Sequence, residues 1–598
     1  MKRTALLAAV LMTLGAAPTP AWRQASAGTS PDYFDPLLAN PALCAAQTGR
    51  PAVLDKLLLA QAETAPFKPT QQARPASAEA RPPLYPGLGK LHMKITTGVP
   101  AAQNYFDQGL RLLFAFNHAE AARAFRAAQQ LDPQCAMCFW GEAYALGPNI
   151  NAPMFPDAVA PAFAAAQRAQ ALAANTTPQE QALIRAIGQR YLADAAADRA
   201  ALDQAYAAAM AEAARRHPTS DTVLVLYAES MMDISPWNYW QAGGAEPREH
   251  TAAMVDALER VLERNPTHPG AIHYYIHAVE ASTHPEKALP YARQLARQIP
   301  GAGHIVHMPS HIYYRVGLYR EALDSNIEAM AMDEKYLRQA DSDPVYKGAY
   351  YPHNIHFAMV SALMGGHGKA ALEAGAKLDR AVPNEAVKAF ASLQPVKAAP
   401  YFSHVQFSSP DVLLSLPDPG PDAVLVKAMW HYARATAYAR KALPDQAQQE
   451  ADAIAALERD ADFQPLLAWS VPGKDIVRTA RAVAMGRAAD ARGDLSGAIR
   501  YYQEAVAAQD SLPYTEPPYW YYPVRQSLGA ALLRAGRLEE AESAFRTSFA
   551  KTPSNGWALR GLMEVYRQRG DTAALAATRK RFDTTWLGRK EGPDLAQL

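Results

Sequence analysis

Apolar residues recur along most of this chain in the pattern of amphipathic helices. From Gln103 onward the sequence is dominated by Ala, Leu, Arg, Glu and Gln, which favour helix. They form amphipathic stretches of about 12 to 16 residues. Runs of β-branched residues and tight hairpin signals are nearly absent, so the pattern predicts an all-α fold.

A short internal repeat separates these stretches. The clearest copies, in which an Ala follows a Gly by five positions, are Gly317–Ala322, Gly493–Ala498 and Gly536–Ala541. Weaker copies are Asn117–Ala122, Gly366–Ala371 and Gly570–Leu575. A Gly in a left-handed conformation ends the first helix of a pair, and the small residue lets the second helix pack closely against it. Pro266 and Pro300 lie 34 residues apart, which is the length of one helix-pair repeat.

These residues resemble the tetratricopeptide repeat (TPR) family, whose units are antiparallel helix pairs, A and B, stacked into a superhelix. The resemblance covers roughly residues 100–585 and implies an all-α, tetratricopeptide-like α-solenoid. It also implies that the A helices line a concave groove, the default surface for binding a small molecule or a peptide. The alternative is an irregular α-bundle.

The first residues have the layout of a secretory signal peptide. Lys2 and Arg3 precede an apolar run that ends at Ala17, and small residues follow. We therefore expect a periplasmic or secreted protein with no transmembrane segment after signal removal. The predicted domains are a signal peptide at 1–27, an N-terminal arm and Pro-rich linker at 28–100, a TPR-like solenoid with a histidine-rich groove at 101–390, a Pro-rich connection at 391–422 and C-terminal TPR-like repeats at 423–598.

Charge and cysteine content narrow the possible partners. Lys and Arg number 59 against 58 Asp and Glu, so no surface for nucleic acid is expected. Three cysteines cannot form a disulfide framework. Cys135 and Cys138 form a C-x-x-C motif, which predicts a local disulfide, a soft-metal site or a reduced pair. Phe139 stands where haem attachment would require a histidine.

Histidines are concentrated in one part of the chain. Nine of the sixteen lie between His268 and His356. Spacings of three or four residues place them on shared helix faces, in the groups His273, His277 and Glu280; His304, His307 and His311; and His353 and His356. When the groups are aligned on the TPR repeat, all three fall on A helices at positions that face the groove in that family.

This convergence predicts a site for a transition metal ion, either zinc, copper or iron. Imidazole is the commonest ligand of these metals, and two histidines four residues apart can hold one ion from one helix. The predicted ligands are His273, His277, His307 and His311. The further ligands or supporting residues, enough for two ions, are Glu280, His304, His353 and His356. The alternative is a metal-free groove whose histidines bind a peptide through hydrogen bonds.

The motifs HPGAxHYYIH, HMPSHIY and HNxHF, together with the Cys-x-x-Cys-x-Trp-Gly segment, resemble a recurring set of exported bacterial TPR proteins. The sequence leaves three functions open: a metal-binding solenoid that acts as a hydrolase or oxidoreductase, a scaffold that recognises a protein or peptide without metal, and a copper or zinc carrier. In an enzyme, Glu280 or Glu229 is the expected proton acceptor. The aromatic segments 237–240 and 517–523 are candidate walls of a pocket for an apolar or sugar-like substrate.

Overall fold

The computed structural model describes residues 81–194, 196–338 and 346–598. All of these residues belong to one compact unit of the chain. The predicted signal peptide at 1–27 and the predicted arm as far as residue 80 lie outside the described residues.

The helices follow one another through short connections. In the N-terminal part they are α1 Pro100–Leu113, α2 His118–Leu131, α3 Ala136–Ala145, α4 Val159–Leu172, α5 Pro178–Ile187, α6 Arg199–Arg216, α7 Asp221–Ile234 and α8 Thr251–Arg264. In the middle they are α9 Pro269–Val279, α10 Leu289–Gln298, α11 Gly303–His307, α12 Pro309–Arg315, α13 Tyr319–Leu337 and α14 Tyr351–Gly365. Next come α15 Gly368–Ala381, α16 Asn384–Ala389, α17 Gln394–Ala398, α18 Pro400–Phe407 and α19 Pro410–Ser415. The C-terminal helices are α20 Val424–Arg440, α21 Pro444–Asp460, α22 Gln464–Ala468, α23 Gly473–Ala491, α24 Leu495–Ser511, α25 Val524–Arg534, α26 Leu538–Ser548, α27 Gly556–Arg569 and α28 Thr572–Thr585.

Most long helices pack chiefly against the next helix in the chain, as α1 does on α2, α13 on α14 and α23 on α24. The described residues contain no β-strand, and isolated bridges join Asn149 to Ala152 and Trp240 to Pro247. The predicted fold class, an all-α solenoid of stacked helix pairs, is confirmed. Within the same residues, every helix is too short or too polar to cross a lipid bilayer.

The repeat glycines end their helices in the predicted left-handed conformation. Positive φ values occur at Gly317, Gly366, Gly493, Gly536 and Gly570. Each of them immediately precedes the N-cap residue of the following helix. In the first copy of the repeat along the chain, the N-cap of the second helix is Asn117. The residue before it, Phe116, has the positive φ value, 55°. The predicted copy Asn117–Ala122 is therefore wrong by one position and runs from Phe116 to Ala121.

Two segments expected to be irregular are ordered. The Pro-rich connection at 391–422 contains α17, α18 and α19, each with a proline at its first or second position, where a missing N–H leaves no hydrogen bond unmade. The described end of the N-terminal arm lies along α1, where the Tyr85 amide donates to the Gln108 side chain (2.8 Å) and the Met93 amide donates to Asp107 (3.3 Å).

Two large groups of buried side chains form the core of the solenoid. The first contains Trp140 of α3 and the second contains Trp557 of α27. Helix α12 contributes Ile312 to the first group and Tyr313 to the second. The helix that carries His311 thus lies where the two cores meet.

The C-terminal repeats return to the middle of the chain. At the start of α27, Trp557 Nε1 donates to the Leu363 carbonyl of α14 (3.2 Å). After α28, the Leu587 amide donates to the Gly365 carbonyl (2.8 Å). This return brings residues 512–523, the loop between α24 and α25, against the histidine-bearing helices.

Candidate metal centre

Four helices bring six of the predicted histidines together. They are His273 and His277 on α9, His304 and His307 on α11, His311 on α12 and His353 on α14. Pro309 has no N–H with which to continue α11, so α12 starts there as a separate helix. All six side chains are buried except that of His353, which is half-buried.

The first triad consists of His273, His277 and His304. The Nε2 atom of His273 lies 3.2 Å from Nε2 of His277 and 3.2 Å from Nε2 of His304. Ligand nitrogens that surround a tetrahedral ion at about 2.0–2.1 Å lie roughly 3.3 Å apart. The two distances from His273 are close to this spacing, and all three ligand atoms of the first triad lie within 4.8 Å of one another, so the triad could hold one ion.

Hydrogen bonds fix the tautomers of two of the three rings in the first triad. His273 Nδ1 lies 2.7 Å from the Phe114 carbonyl oxygen, which can only accept, so Nδ1 carries the proton. His277 Nδ1 donates in the same way to Glu280 Oε1 (2.9 Å). The neutral rings therefore direct unprotonated Nε2 lone pairs at each other. Such an arrangement is repulsive by itself and becomes favourable around a cation.

The second triad consists of His307, His311 and His353. Nε2 of His307 and Nε2 of His311 are 2.7 Å apart, and the His353 ring centre lies 4.8 Å from that of His307. Asn326 Nδ2 donates to the Ala322 carbonyl (2.7 Å), which orients the amide so that Oδ1 accepts from His307 Nδ1 (2.6 Å). His307 therefore also presents an unprotonated Nε2.

Burial keeps most of these imidazoles neutral. The pKa of His273 lies well below its usual range because of burial and, after that, His277. Burial and His273 do the same for the pKa of His304, and burial and His311 for that of His307. Metals bind imidazole in its neutral form, so protons compete weakly with a metal at these three rings.

Glu280 connects the two triads. One carboxylate oxygen accepts from His277 Nδ1 and the other from His311 Nδ1, at 2.9 and 2.7 Å. Burial by itself would raise the pKa of Glu280, but His311 and several hydrogen bonds hold it well below its usual range. Glu280 is thus an ionised carboxylate that orients one histidine of each triad, rather than a group with a free oxygen for a substrate proton.

Glu516 is a site residue that sequence reasoning missed. It comes from the loop between α24 and α25, contacts His311 Nδ1 and precedes a cis peptide bond to Pro517. Burial and Glu280 raise the pKa of Glu516 well above its usual range. Burial lowers the pKa of His311, but Glu516 and Glu280 outweigh it and raise this pKa to about 10. Without an ion His311 is therefore protonated at neutral pH, and its Nε2 proton has to leave before this ring can bind a metal.

Two aromatic residues with left-handed backbone conformations cover the first triad. Phe116 has a φ of 55°, and its ring centre lies 4.4 Å from that of His273 and 5.3 Å from that of His304. Trp237 has a φ of 64° and packs edge-on against His277 at 4.8 Å. Non-glycine residues in this conformation cost free energy and cluster at functional sites.

A cavity of about 270 Å³ opens onto both triads. His277 and His304 of the first triad and His311 and His353 of the second lie in its wall. The rest of the wall comes largely from aromatic and proline residues of segments 236–238, 348–352 and 514–521. The predicted aromatic segments 237–240 and 517–523 therefore both contribute to the cavity.

Other predicted residues lie elsewhere. His356 also reaches the cavity wall, but its Nε2 is bonded to the Tyr521 hydroxyl (2.6 Å) and it belongs to neither triad. Glu229 is not brought to the histidines; it is buried 3.7 Å from Arg190, beside Asp233. Cys135 and Cys138 form a disulfide, which is one of the three states expected for that pair.

Fold and site together define a helical solenoid with a buried, histidine-lined cavity whose side chains are spaced to hold metal ions. No protein-family model matches the chain, and no curated protein matches it. Among solved structures, it is similar to the human IFIT1 dimer with PPP-AAAA, with 14% identity and a TM-score of 0.29 over 81% of this chain and 91% of that one. The human IFIT1 dimer with m7Gppp-AAAA has 12% identity and a TM-score of 0.28 over 82% and 90%. Scores this low carry no inference about function.

Proposed function

We propose that this protein is an exported transition-metal protein that holds two ions, one in each histidine triad, and uses them on a small molecule bound in the adjoining cavity. The observation that carries the proposal is the first triad, in which Nε2 of His273 lies 3.2 Å from Nε2 of both His277 and His304 and all three ligand atoms lie within 4.8 Å of one another. The Phe114 carbonyl and Glu280 hold the Nδ1 protons on the far side of two of these rings.

The ligand type limits the metal. Both triads offer only imidazole nitrogens, which suit zinc, copper and iron, whereas magnesium and calcium prefer oxygen. The hydrogen bonds from Nδ1 to Glu280, Asn326 and a backbone carbonyl are the supporting interactions typical of metal-bound histidines. These features favour a borderline or redox-active transition metal.

The number of ligands and the position of the cavity favour reactivity over a purely structural role. Structural zinc sites are closed by four protein ligands, whereas catalytic sites have three and leave a position for water or substrate. An ion held by three histidines in this way would supply Lewis-acid or redox chemistry to a molecule in the cavity. Glu516 lines the cavity beside His311 and is placed to exchange a proton with a bound ligand.

The proposed location is the periplasm or the exterior of the cell. The signal-peptide pattern at residues 1–27 favours it. The disulfide between Cys135 and Cys138 adds support, since such bonds persist mainly in oxidising compartments.

Metal analysis by mass spectrometry tests the proposal directly. Protein reconstituted with zinc, copper or iron and then desalted is expected to retain two ions per chain. His273→Ala and His307→Ala are each expected to retain one ion and the double variant none, with thermal melts to verify folding. The matched control is His284→Ala, because His284 is exposed and its side chain bonds to the exposed Glu286. A wild-type chain that retains no metal under any of these conditions contradicts the proposal and favours a scaffold.

A further inference from the structure

The wall of the cavity defines the chemistry of the molecule that fits inside it. Five aromatic side chains line the cavity, those of Trp237, Tyr350, Tyr514, Tyr519 and Tyr521. Prolines and aliphatic side chains, such as Val396, fill much of the space between them. Flat rings of this kind stack on other rings through offset or edge-on contacts. The wall therefore favours a flat, apolar ligand body.

The volume of the cavity and the charges in its wall further limit the class of ligand. A cavity of about 150 Å³ accommodates benzene, so about 270 Å³ suits a compound of one or two rings. Among the residues that the structure describes, no lysine or arginine lines this cavity, and Glu516 is the one carboxyl group in its wall. His311, the imidazole of the wall whose pKa is raised, is already paired with Glu280 and Glu516. Within the described residues the wall thus has no unpaired cationic side chain to hold a phosphate, sulfate or carboxylate group.

A serine in the wall has a hydroxyl group without a hydrogen-bond partner. Ser392 lines the cavity and is 1% exposed, and its hydroxyl makes no hydrogen bond within the described part of the chain. A buried hydroxyl without a partner costs free energy. A ligand that brings a hydroxyl group to Ser392 removes that cost.

We propose that the cavity binds an uncharged aromatic compound with a hydroxyl group, of which phenol is the simplest example. The ring lies between the aromatic side chains of the wall, and a hydroxyl group bonds to Ser392. The inference deepens the proposed function, because it names the class of molecule presented to the metal ions. The ring and serine contacts themselves do not require an ion.

Calorimetric titration compares phenol with methyl glucoside, which represents the sugar-like class, on wild-type protein of measured metal content. Phenol is expected to bind at least tenfold more tightly. Ser392→Ala is expected to weaken phenol binding by about threefold to tenfold, the effect of one lost hydrogen bond. Ser403→Ala is the matched control, because Ser403 is also a buried serine without a hydrogen-bond partner but does not line the cavity.

A second variant fills the cavity without touching a histidine. Val396→Trp is expected to abolish phenol binding and to leave two ions per chain. Equal or tighter binding of methyl glucoside, or phenol binding that survives Val396→Trp, overturns the inference while the metal proposal stands. If the wild-type chain holds no metal but binds phenol with the same dependence on Ser392 and Val396, the metal proposal fails and the ligand class stands.

Discussion

Around His273 and His307, a neighbouring acceptor decides which ring nitrogen faces the centre of the triad. The Phe114 carbonyl does this for His273, and Asn326 does it for His307. Both neighbours are acceptors, and both leave Nε2 free of a proton. Sequence spacing predicted that these two histidines lie among the ligands, but it contained no sign of these partners.

Asn326 is expected to affect the proposed metal affinity of the second triad far more than that of the first. Asn326→Leu keeps a similar volume but removes the acceptor for His307 Nδ1, so the ring loses its orientation. Loss of such a supporting bond lowers metal affinity about tenfold to a hundredfold. Competition with a chromophoric chelator measures both sites in one titration. The first triad is the internal control, and an equal loss at both sites contradicts the prediction.

His356 is expected to make the free energy of unfolding depend on pH below 6.5. Burial lowers its pKa from 6.5 to about 3, so below pH 6.5 the unfolded chain binds a proton that the folded chain does not. Stability is therefore complete above pH 6.5 and falls by about 1.4 kcal/mol per pH unit as the pH decreases towards 3.

Urea unfolding of the metal-free protein at pH 6.5 and pH 5 measures this effect. His356→Gln keeps a partner for Tyr521 but has no proton to gain, so the wild type is expected to lose about 2 kcal/mol more than the variant over this interval. The remaining buried histidines are common to both proteins and cancel. A wild type and variant with the same pH dependence would show that His356 titrates normally in the folded state.

The residues missed from the sequence share a physical cause. The Tyr514 hydroxyl donates to Glu280 (3.1 Å) although 234 residues separate them, and Glu516 contacts the same cluster. Helix periodicity orders residues within a turn or two and contains no information about such distant pairs. Glu229 was predicted as a proton acceptor from its position on a helix. The structure shows its side chain buried beside Arg190 instead of facing the cavity.

At the scale of helices, local rules predicted most of the arrangement. The spacing of His273 and His277 places both on one face of α9, and the repeat glycines end helices as expected. The exceptions are positions where another residue takes the left-handed conformation. Phe116 is one, and Ala442, with a φ of 56° just before the N-cap of α21, is another.

The left-handed positions predict two opposite changes in stability. Ala442 is exposed, so Ala442→Gly is expected to stabilise the protein by about 1 kcal/mol by relieving backbone strain. Gly536 has a φ of 72° with open space around it, so Gly536→Ala is expected to destabilise by about 1 kcal/mol. Chemical denaturation measures both, and two changes of the same sign contradict this account.

At the scale of the whole molecule, the return of the C-terminal repeats completes the site. Residues 514–521 close the cavity over helices that lie far earlier in the chain. Stacked repeats predict a groove, but the curvature that brings a distant loop into it depends on small rotations summed over many helix pairs. For that reason the sequence predicted a histidine-rich groove and could not predict which loop covers it.

Gly317 tests the importance of this return. An added Cβ there would overlap the carbonyl oxygen of Pro553 in the C-terminal repeats, and its φ of 78° is also unfavourable for alanine. Gly317→Ala is expected to destabilise by roughly 2–4 kcal/mol, through overpacking added to backbone strain. Gly536→Ala, which has the strain without the overlap, is the matched control. Equal losses of stability in the two variants would show that the backbone at Pro553 moves away from the added methyl group with no measurable loss of free energy.

Under the proposed function, the position of Glu280 couples the binding of the two ions. One carboxylate accepts a hydrogen bond from a histidine of each triad, so its negative charge is shared between two metal-binding equilibria. An ion in one triad would strengthen the hydrogen bond between its histidine and Glu280. The carboxylate would then accept less strongly from the histidine of the other triad, and that ring would become a less basic ligand. By thermodynamic reciprocity, the second ion alters the affinity of the first by the same factor. The protein will therefore titrate with metal as a coupled pair, not as two identical independent sites.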